Sequence, residues 1–501
     1  MASNKPRNLG MSLPLLALLA ICGPNAAMAT AAQAADDRAG RPPNFIIIFT
    51  DDQGYQDVGC FGSPDIRTPN LDRMAAEGMK FTDFYVTAPV CSPSRASLMT
   101  GCYCDRVSVT RVYFPRDNVG LNPNEITIAE LLKTRGYATA CVGKWHLGHL
   151  PPLLPTSQGF DYYFGIPYSN DMSIEREGKK GPPVYRNQEI VEHPADQATV
   201  TKRYTEEAVK FIEQNRDRPF FLYLAHTMPH VPLAASEAFR GKSKRGLYGD
   251  VIEEIDWSVG QVLDALRRLG LAEKTIVVFA SDNGPWLVKK EHGGSALPLR
   301  DGKGTLYEGG MRVPCIMWGP GRIPAGKTCS ELAATIDILP TFAALAGATL
   351  PEDRIIDGKD IWPLMSGQGG AKSPHEAFFY RNRGVRAGNW KLLLTAAPAA
   401  KPAAKPAAKP AAKQQPEAGD APTAKAAGKQ AAPASAQPKV ELYDLSTDIG
   451  EKNNLAEKHP EVVDRLRKLL QDHNAEIAKN RRPEGMVPAQ QQSQSGAAAV
   501  N

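Results

Sequence analysis

Little in this chain departs from ordinary globular composition, and each shortage excludes something. Aromatic residues are 7% and charged residues 23%, against 42% hydrophobic. That excludes a wholly disordered chain, a collagen and a coiled-coil rod. No apolar run is long enough to cross a bilayer, so no membrane span is expected. Net charge is small, with 59 Lys+Arg against 54 Asp+Glu. Of the surplus of five, Lys5 and Arg7 supply two in residues 1–34. Residues 396–439, with seven lysines against Glu417 and Asp420, supply another five. The rest of the body is therefore at −2, which is no footprint for nucleic acid. Cysteine is scarce too, at 8 of 501 residues.

What is present begins with a leader. Lys5 and Arg7 precede a short apolar stretch from Leu13 to Ile21, and Ala27-Met28-Ala29 and Ala32-Gln33-Ala34 follow as small-residue cleavage sites. Residues 1–34 read as a signal peptide, and the protein as exported, periplasmic or secreted. Export permits disulfides. Cys22 leaves with the leader, and seven cysteines remain (60, 91, 102, 104, 141, 315, 329). An odd count reserves one thiol for another task, and Cys91 is the candidate. The other six form up to three bridges or stay as small buried hydrophobes.

The body, residues 41–350, alternates apolar runs with helical patterns. Asn44–Thr50, Tyr137–Gly143, Phe220–Ala225 and Thr275–Ser281 read as strands buried on both faces. Residues 126–135, 198–216 and 248–269 show apolar positions at helical spacing, and residues 331–345 do so with Pro340 as an interruption. This alternation predicts an α/β domain, a large mostly parallel sheet sandwiched by helices. Residues 351–480 read as a smaller C-terminal α+β subdomain, with strands near 376–380, 384–387, 391–394 and 440–444 and a helix over 462–473. A low-complexity Ala/Pro/Lys insert at 396–439 interrupts it, and residues 482–501 read as a disordered tail.

In a parallel α/β sheet, sites form beyond the carboxyl ends of the strands. Asp51-Asp52 follows the first strand, Lys144-Trp145-His146 the second, His226 to His230 the third, and Asp282-Asn283 the fourth. Asp51, Asp52, Asp282 and Asn283 are hard oxygen donors, which suit Ca²⁺ or Mg²⁺ rather than Zn²⁺. The segment Pro89-Val-Cys91-Ser-Pro-Ser-Arg95-Ala-Ser-Leu-Met-Thr-Gly101 reads as a helix start, with Ser92 as N-cap, Pro93 in the first turn and Gly101 as the stop. Cys91 would then face the positive end of a helix, with Arg95 one turn along. A reactive thiolate is one reading of such a cysteine, and a structural thiol is the other.

The stretch Cys91-Ser-Pro-Ser-Arg95-Ala-Ser-Leu-Met-Thr-Gly101 resembles the signature of type I sulfatases, arylsulfatase A-like members of the alkaline phosphatase-like superfamily. The segments N-F-I-I-I-F-T-D-D-Q-G-Y, T-P-N-L-D-R-M, G-K-W-H-L-G and G-K-G-T-L-Y-E-G-G-M-R-V-P are similar to the same family, in its order. The resemblance implies that Cys91 is oxidised to formylglycine by a maturation enzyme. It implies one Ca²⁺ held by Asp51, Asp52, Asp282, Asn283 and the modified Cys91. The hydrated aldehyde then attacks sulfur with one hydroxyl, and the second expels sulfate. By the same resemblance Arg95 steadies the nucleophile, and Lys144 and Lys303 grip sulfate oxygens. His146 helps deprotonate the diol, and His230 rather than His226 protonates the leaving oxygen. The implied substrate is a sulfated small molecule or glycan. Residues 104–118, 166–195 and 285–300 should line the entrance. Two alternatives stay open: a phosphoester or phosphonate hydrolase on the same fold, and an exported protein that binds sulfated glycans without catalysis.

Overall fold

A computed structural model describes residues 1–2, 41–395 and 439–488. The leader beyond its first two residues, the insert up to residue 438 and the tail from 489 lie outside the described residues. The fold lies in the unit that begins at Pro43.

Ten strands form the central sheet: β1 (Asn44–Thr50), β2 (Met79–Phe81), β3 (Ala138–Gly143), β4 (Tyr162–Gly165), β5 (Val184–Arg186), β6 (Glu189–Glu192), β7 (Phe220–Ala225), β8 (Thr275–Ser281), β9 (Cys315–Trp318) and β10 (Lys327–Cys329). Their order is β6-β5-β4-β3-β7-β1-β8-β9-β2-β10. The middle of the sheet, from β4 to β8, is parallel. Antiparallel pairs bring in the edges, β9 and β2 on one side and β5 and β6 on the other.

β1 explains the layering. All seven of its residues are buried. Successive side chains of a strand point to opposite faces. Phe45, Ile47 and Phe49 join one apolar cluster with Leu98, Leu132 and Phe342, from the helices α2 (Cys91–Thr100), α3 (Ile128–Lys133) and α6 (Ile338–Ala346). Ile46 and Ile48 join the other, with Met74, Tyr204 and Val251, from α1 (Pro69–Glu77), α4 (Val200–Gln214) and α5 (Gly246–Arg268). Each such side chain contributes about 1.5–3 kcal/mol by leaving water. A strand with no polar face is stable only between two helical layers. The sandwich is the α/β class that the sequence predicts.

α2 is buried at every position. Gly101 ends it in the left-handed region at φ 67, its N–H bonded to the Ser97 carbonyl. Its start differs from the expectation. The helix begins at Cys91, with Val90 as the N-cap residue and no side-chain cap. Ser92 is not the cap, because its hydroxyl accepts the Tyr113 N–H at 3.2 Å. Pro340 does not break its helix. Residues 335–337 form a tight turn, α6 starts at Ile338, and Pro340 falls in the first turn, where a backbone N–H has no intrahelical partner.

Past residue 350, β11 (Phe378–Tyr380), β12 (Gly384–Ala387), β13 (Trp390–Thr395) and β14 (Lys439–Asp444) make a four-stranded antiparallel sheet. The last helix, α7 (Pro460–Asn480), lays Val463, Leu466 and Leu470 on Val385, Leu392 and Leu442. The expected disordered tail begins too early at 482. Arg482 forks Glu125 at 2.7 and 2.9 Å, and Gly485–Met486 pairs antiparallel with Val119–Gly120. None of the seven described cysteines is bridged. Among the described residues, no helix is long and apolar enough to cross a membrane.

Candidate active site

Register brings the polar strand ends together. Thr50 pairs with Ser281, so Asp51-Asp52 and Asp282-Asn283 leave the sheet side by side. β7 pairs with β1 and, through Ala225 and Gly143, with β3, so Lys144 emerges two strands from Asp51. Gly143 has φ 113, and a Cβ there would stand 1.8 Å from the Ala225 carbonyl oxygen. Only glycine lets the chain turn here, and the Lys144 N–H takes that same oxygen at 2.7 Å. Asp52 and His146 hold left-handed backbone at φ 66 and 61. Non-glycine residues adopt that region at a cost of about 1–3 kcal/mol, and such strain clusters at functional sites.

Cys91, in the first turn of α2, points into this cluster. Its Sγ lies 3.4 Å from Asp51 Oδ1 and 3.8 Å from Lys303 Nζ. Lys303 also reaches Asp52 Oδ2 at 2.7 Å. Lys144 Nζ bonds Asp51 Oδ2 at 2.5 Å and the Ser169 hydroxyl at 3.2 Å. Arg95 donates from Nε to Asp282 at 3.0 Å, and from Nη1 to the Lys144 carbonyl at 3.0 Å and the Tyr223 hydroxyl at 3.2 Å. Three buried carboxylates thus face three cations.

The electrostatics follow from burial opposed by neighbours. Burial alone would raise the Asp51 carboxyl, but Lys144, His230, Arg95 and Lys303 hold it far below the usual carboxylate range. Asp282 is pushed the other way, to about 7, by burial and by Asp51. Burial, then Asp51, push the Cys91 thiol well up. Both effects favour the neutral thiol, which opposes the thiolate reading.

The two histidines have defined faces. His146 Nε2 lies 3.0 Å from the Tyr113 carbonyl, so we assign it the proton. Its Nδ1 is buried with no partner, a free acceptor. His230 Nδ1 faces the Val231 carbonyl at 2.7 Å, which leaves Nε2 toward the site, 3.6 Å from Asp52 Oδ2. Burial lowers both histidines below their ordinary value. His226 is elsewhere: it is buried against Ser258 at 3.3 Å, and burial lowers it to about 3.

The cluster can hold a metal ion. Ligand atoms of Asp51, Asp52, Cys91 and His230 lie within 4.8 Å of one another. Asn283 donates its Nδ2 to Asp52 at 2.7 Å, while its buried Oδ1 has no partner. A buried carbonyl oxygen left unpaired costs about 1–3 kcal/mol. That orphan oxygen beside three carboxylates fits a hard divalent cation.

Sequence reasoning gave the entrance only as stretches and singled out none of the neighbours within them. Ser169 and Asn170 contact His230, at 3.3 and 3.1 Å. They follow β4, a four-residue strand too short to stand out as an apolar run, yet the strand-end rule applied there finds them. Trp286 lies 5.4 Å from the His230 ring, with Lys303 Nζ 4.4 Å and Lys289 Nζ 4.2 Å from its centroid. The three expected entrance stretches thus each send a residue to the site, in Tyr113, Ser169 and Trp286.

The Sulfatase family model matches residues 43–348. The dog (Canis lupus familiaris) N-acetylgalactosamine-6-sulfatase is 44% identical over 363 residues, 68% of this chain and 69% of its own length. Human arylsulfatase A is 40% identical over 472 residues, 87% of this chain and 89% of its own. The crystal structure of Ps i-CgsB in complex with k-i-k-neocarrahexaose superposes with a TM-score of 0.70 at 29% identity, over 92% of this chain and 98% of that one. The phosphoester and binding-protein readings give way: this chain belongs to the type I sulfatase family and is an enzyme that hydrolyses sulfate esters.

Proposed function

We propose that this sulfatase removes sulfate from a sulfated carbohydrate, with formylglycine made from Cys91 as nucleophile and Ca²⁺ at Asp51, Asp52, Asp282 and Asn283. The observation that carries it is Cys91 itself: a buried thiol at a helix start, 3.4 Å from Asp51 and 3.8 Å from the Lys303 ammonium. A thiol so placed is a poor nucleophile, yet every group around it suits a reaction on a sulfate ester.

Formylglycine would supply a hydroxyl nucleophile from its hydrated aldehyde, with a second hydroxyl for sulfate release. Calcium would supply positive charge where the sulfate oxygens gather. The rest falls to the chain. Lys144 and Lys303 exchange their carboxylate partners for sulfate oxygens and stabilise charge in the transition state. Arg95 fixes Asp282 and the backbone of Lys144, so it orients rather than binds. His146 Nδ1 accepts a proton from the nucleophile side. His230 Nε2 donates one to the departing sugar oxygen, while Asn170 and Val231 hold its Nδ1.

Two observations favour a sugar. An aromatic ring, Trp286, flanks the leaving-group histidine, and the exposed Lys289 stands over it. Among the relatives named above, one is an N-acetylgalactosamine-6-sulfatase and one crystal structure is of a complex with k-i-k-neocarrahexaose. The leader directs the protein out of the cytoplasm, and a formylglycine-generating enzyme is its maturation partner. The test is sulfate release by matured enzyme from a panel of sulfated mono- and oligosaccharides against non-sugar alkyl sulfates. Higher kcat/KM on a sugar sulfate is expected. Turnover of the non-sugar esters alone would overturn the carbohydrate reading.

A further inference from the structure

Lys303 sits in a loop, residues 300–308, whose middle is held by the Lys303 N–H on the Pro285 carbonyl and the Gly304 N–H on the Pro89 carbonyl, each at 2.9 Å, and whose two ends are fixed from the C-terminal subdomain. The loop closes on itself, with the Gly309 N–H bonded to the Arg300 carbonyl at 2.8 Å. At its first end, Arg300 Nη1 donates to the Tyr443 hydroxyl at 3.0 Å and to the Glu451 carbonyl at 2.7 Å. At its last end, the Tyr307 hydroxyl donates to Glu441 at 2.9 Å, and the Glu308 N–H to the Glu451 carboxylate at 2.7 Å.

A buried charge cluster lies underneath. Lys391, on β13, is fully buried, and its ammonium stands 2.8 Å from Glu308 and 2.8 Å from Glu451. Glu308 also accepts from the Tyr380 hydroxyl at 2.8 Å. A buried ion pair adds little stability over a well-packed apolar replacement, because desolvation offsets the attraction. What such a cluster supplies is geometry: one lysine with two carboxylates tolerates one arrangement of the chain segments that carry them. One of those segments is the end of the Lys303 loop.

We propose that Lys391 is a positioning residue of the sulfatase reaction, holding loop 300–308 through Glu308 and Glu451 and so setting where the Lys303 ammonium meets the substrate. This rests on the reading of Lys303 as a group that binds sulfate. The C-terminal sheet is on this account part of the active site's frame, although none of its strands reaches the cluster around Cys91.

The test is a pair of double-mutant cycles in full-length, matured enzyme. Lys391→Met and Tyr307→Phe are each measured alone and together with Lys303→Ala. Misplacing a reacting group by about 1 Å costs about 100-fold, so Lys391→Met should lower kcat/KM by about 10- to 100-fold. Tyr307→Phe removes one neutral-donor contact and buries no charge, and should cost about 5-fold. In the Lys303→Ala background both losses should vanish, while the shift in unfolding midpoint caused by each substitution should remain. A merely structural role predicts equal losses in both backgrounds. Full additivity, or folded variants with wild-type kcat/KM, overturns the proposal. If Lys391→Met does not fold, Glu451→Gln, which removes one of the two carboxylates that Lys391 holds, is put through the same cycle and decides. Wild-type activity in Lys303→Ala would instead overturn the reading of Lys303, and the proposal with it.

Discussion

Replacing His230 by alanine should discriminate between leaving groups. His230 Nε2 faces the cluster, 3.3 Å from the Ser169 hydroxyl and 3.6 Å from Asp52, while its Nδ1 is taken by Val231 and Asn170. A ring so fixed can deliver a proton in one direction only. Losing a general acid costs about 10²–10⁴-fold, or about 2.7–5.4 kcal/mol in the barrier. That loss applies where the departing oxygen needs a proton, as a sugar alkoxide does. Nitrophenolate leaves without one, and its sulfate ester should lose less than about tenfold. The assay is kcat/KM of His230→Ala on both esters. pH adds a second reading. Burial, with Lys303 and Lys144, outweighs the pull of Asp52 and Asp51, and the His230 pKa falls below its ordinary 6.5. A cation among the carboxylates would push the same way. The acid form is then present only on the acid side, so turnover of the sugar ester should fall as pH rises through a value below 6.5. His226→Asn, in the core against Ser258, should change stability and leave the discrimination intact. An equal loss on both esters would refute the general-acid assignment.

Arg95→Ala strands Asp282 and should destabilise the fold by about 3–5 kcal/mol, read by urea unfolding; Arg95→Lys should restore only part, since a single ammonium cannot reach Asp282, Lys144 and Tyr223 together. Lys391, Arg312 and Arg386 together outweigh burial and hold the Glu308 carboxyl down at about 2, below its ordinary 4.5. Its contribution to stability is complete above 4.5 and lost as pH falls toward 2, and Lys391→Met should flatten that acid limb of the unfolding free energy. Chelation of the purified enzyme should lower its melting temperature, and calcium at about 100 times its Kd should restore about 2.7 kcal/mol. A melting temperature indifferent to chelator would contradict the assignment of Asp51, Asp52, Asp282 and Asn283.

Much of the site was legible because its chemistry is local in sequence. An apolar run that ends in Asp51-Asp52, or in Asp282-Asn283, marks both a buried strand and the polar residues at its mouth. Cys91 and Arg95 lie one helical turn apart, so their shared direction also follows from spacing. The rest depends on contacts between distant segments. Ser92 resembles a helix cap until Tyr113 claims its hydroxyl. Gly485–Met486 has no strand-like pattern and is ordered by Val119–Gly120 across the chain. The three-residue strands β2 and β10 are too short for any period to show. Lys391 reads only as part of a short strand near 391–394, and the fold alone reveals Glu308 and Glu451 around it.

The central claim is that Cys91 is the precursor of the nucleophile. The direct measurement is peptide mass analysis with aldehyde trapping of the Cys91 segment, in active enzyme from its native host. The account predicts a trapped aldehyde at residue 91, in a fraction that rises with specific activity. An intact Cys91 thiol in fully active enzyme would contradict it.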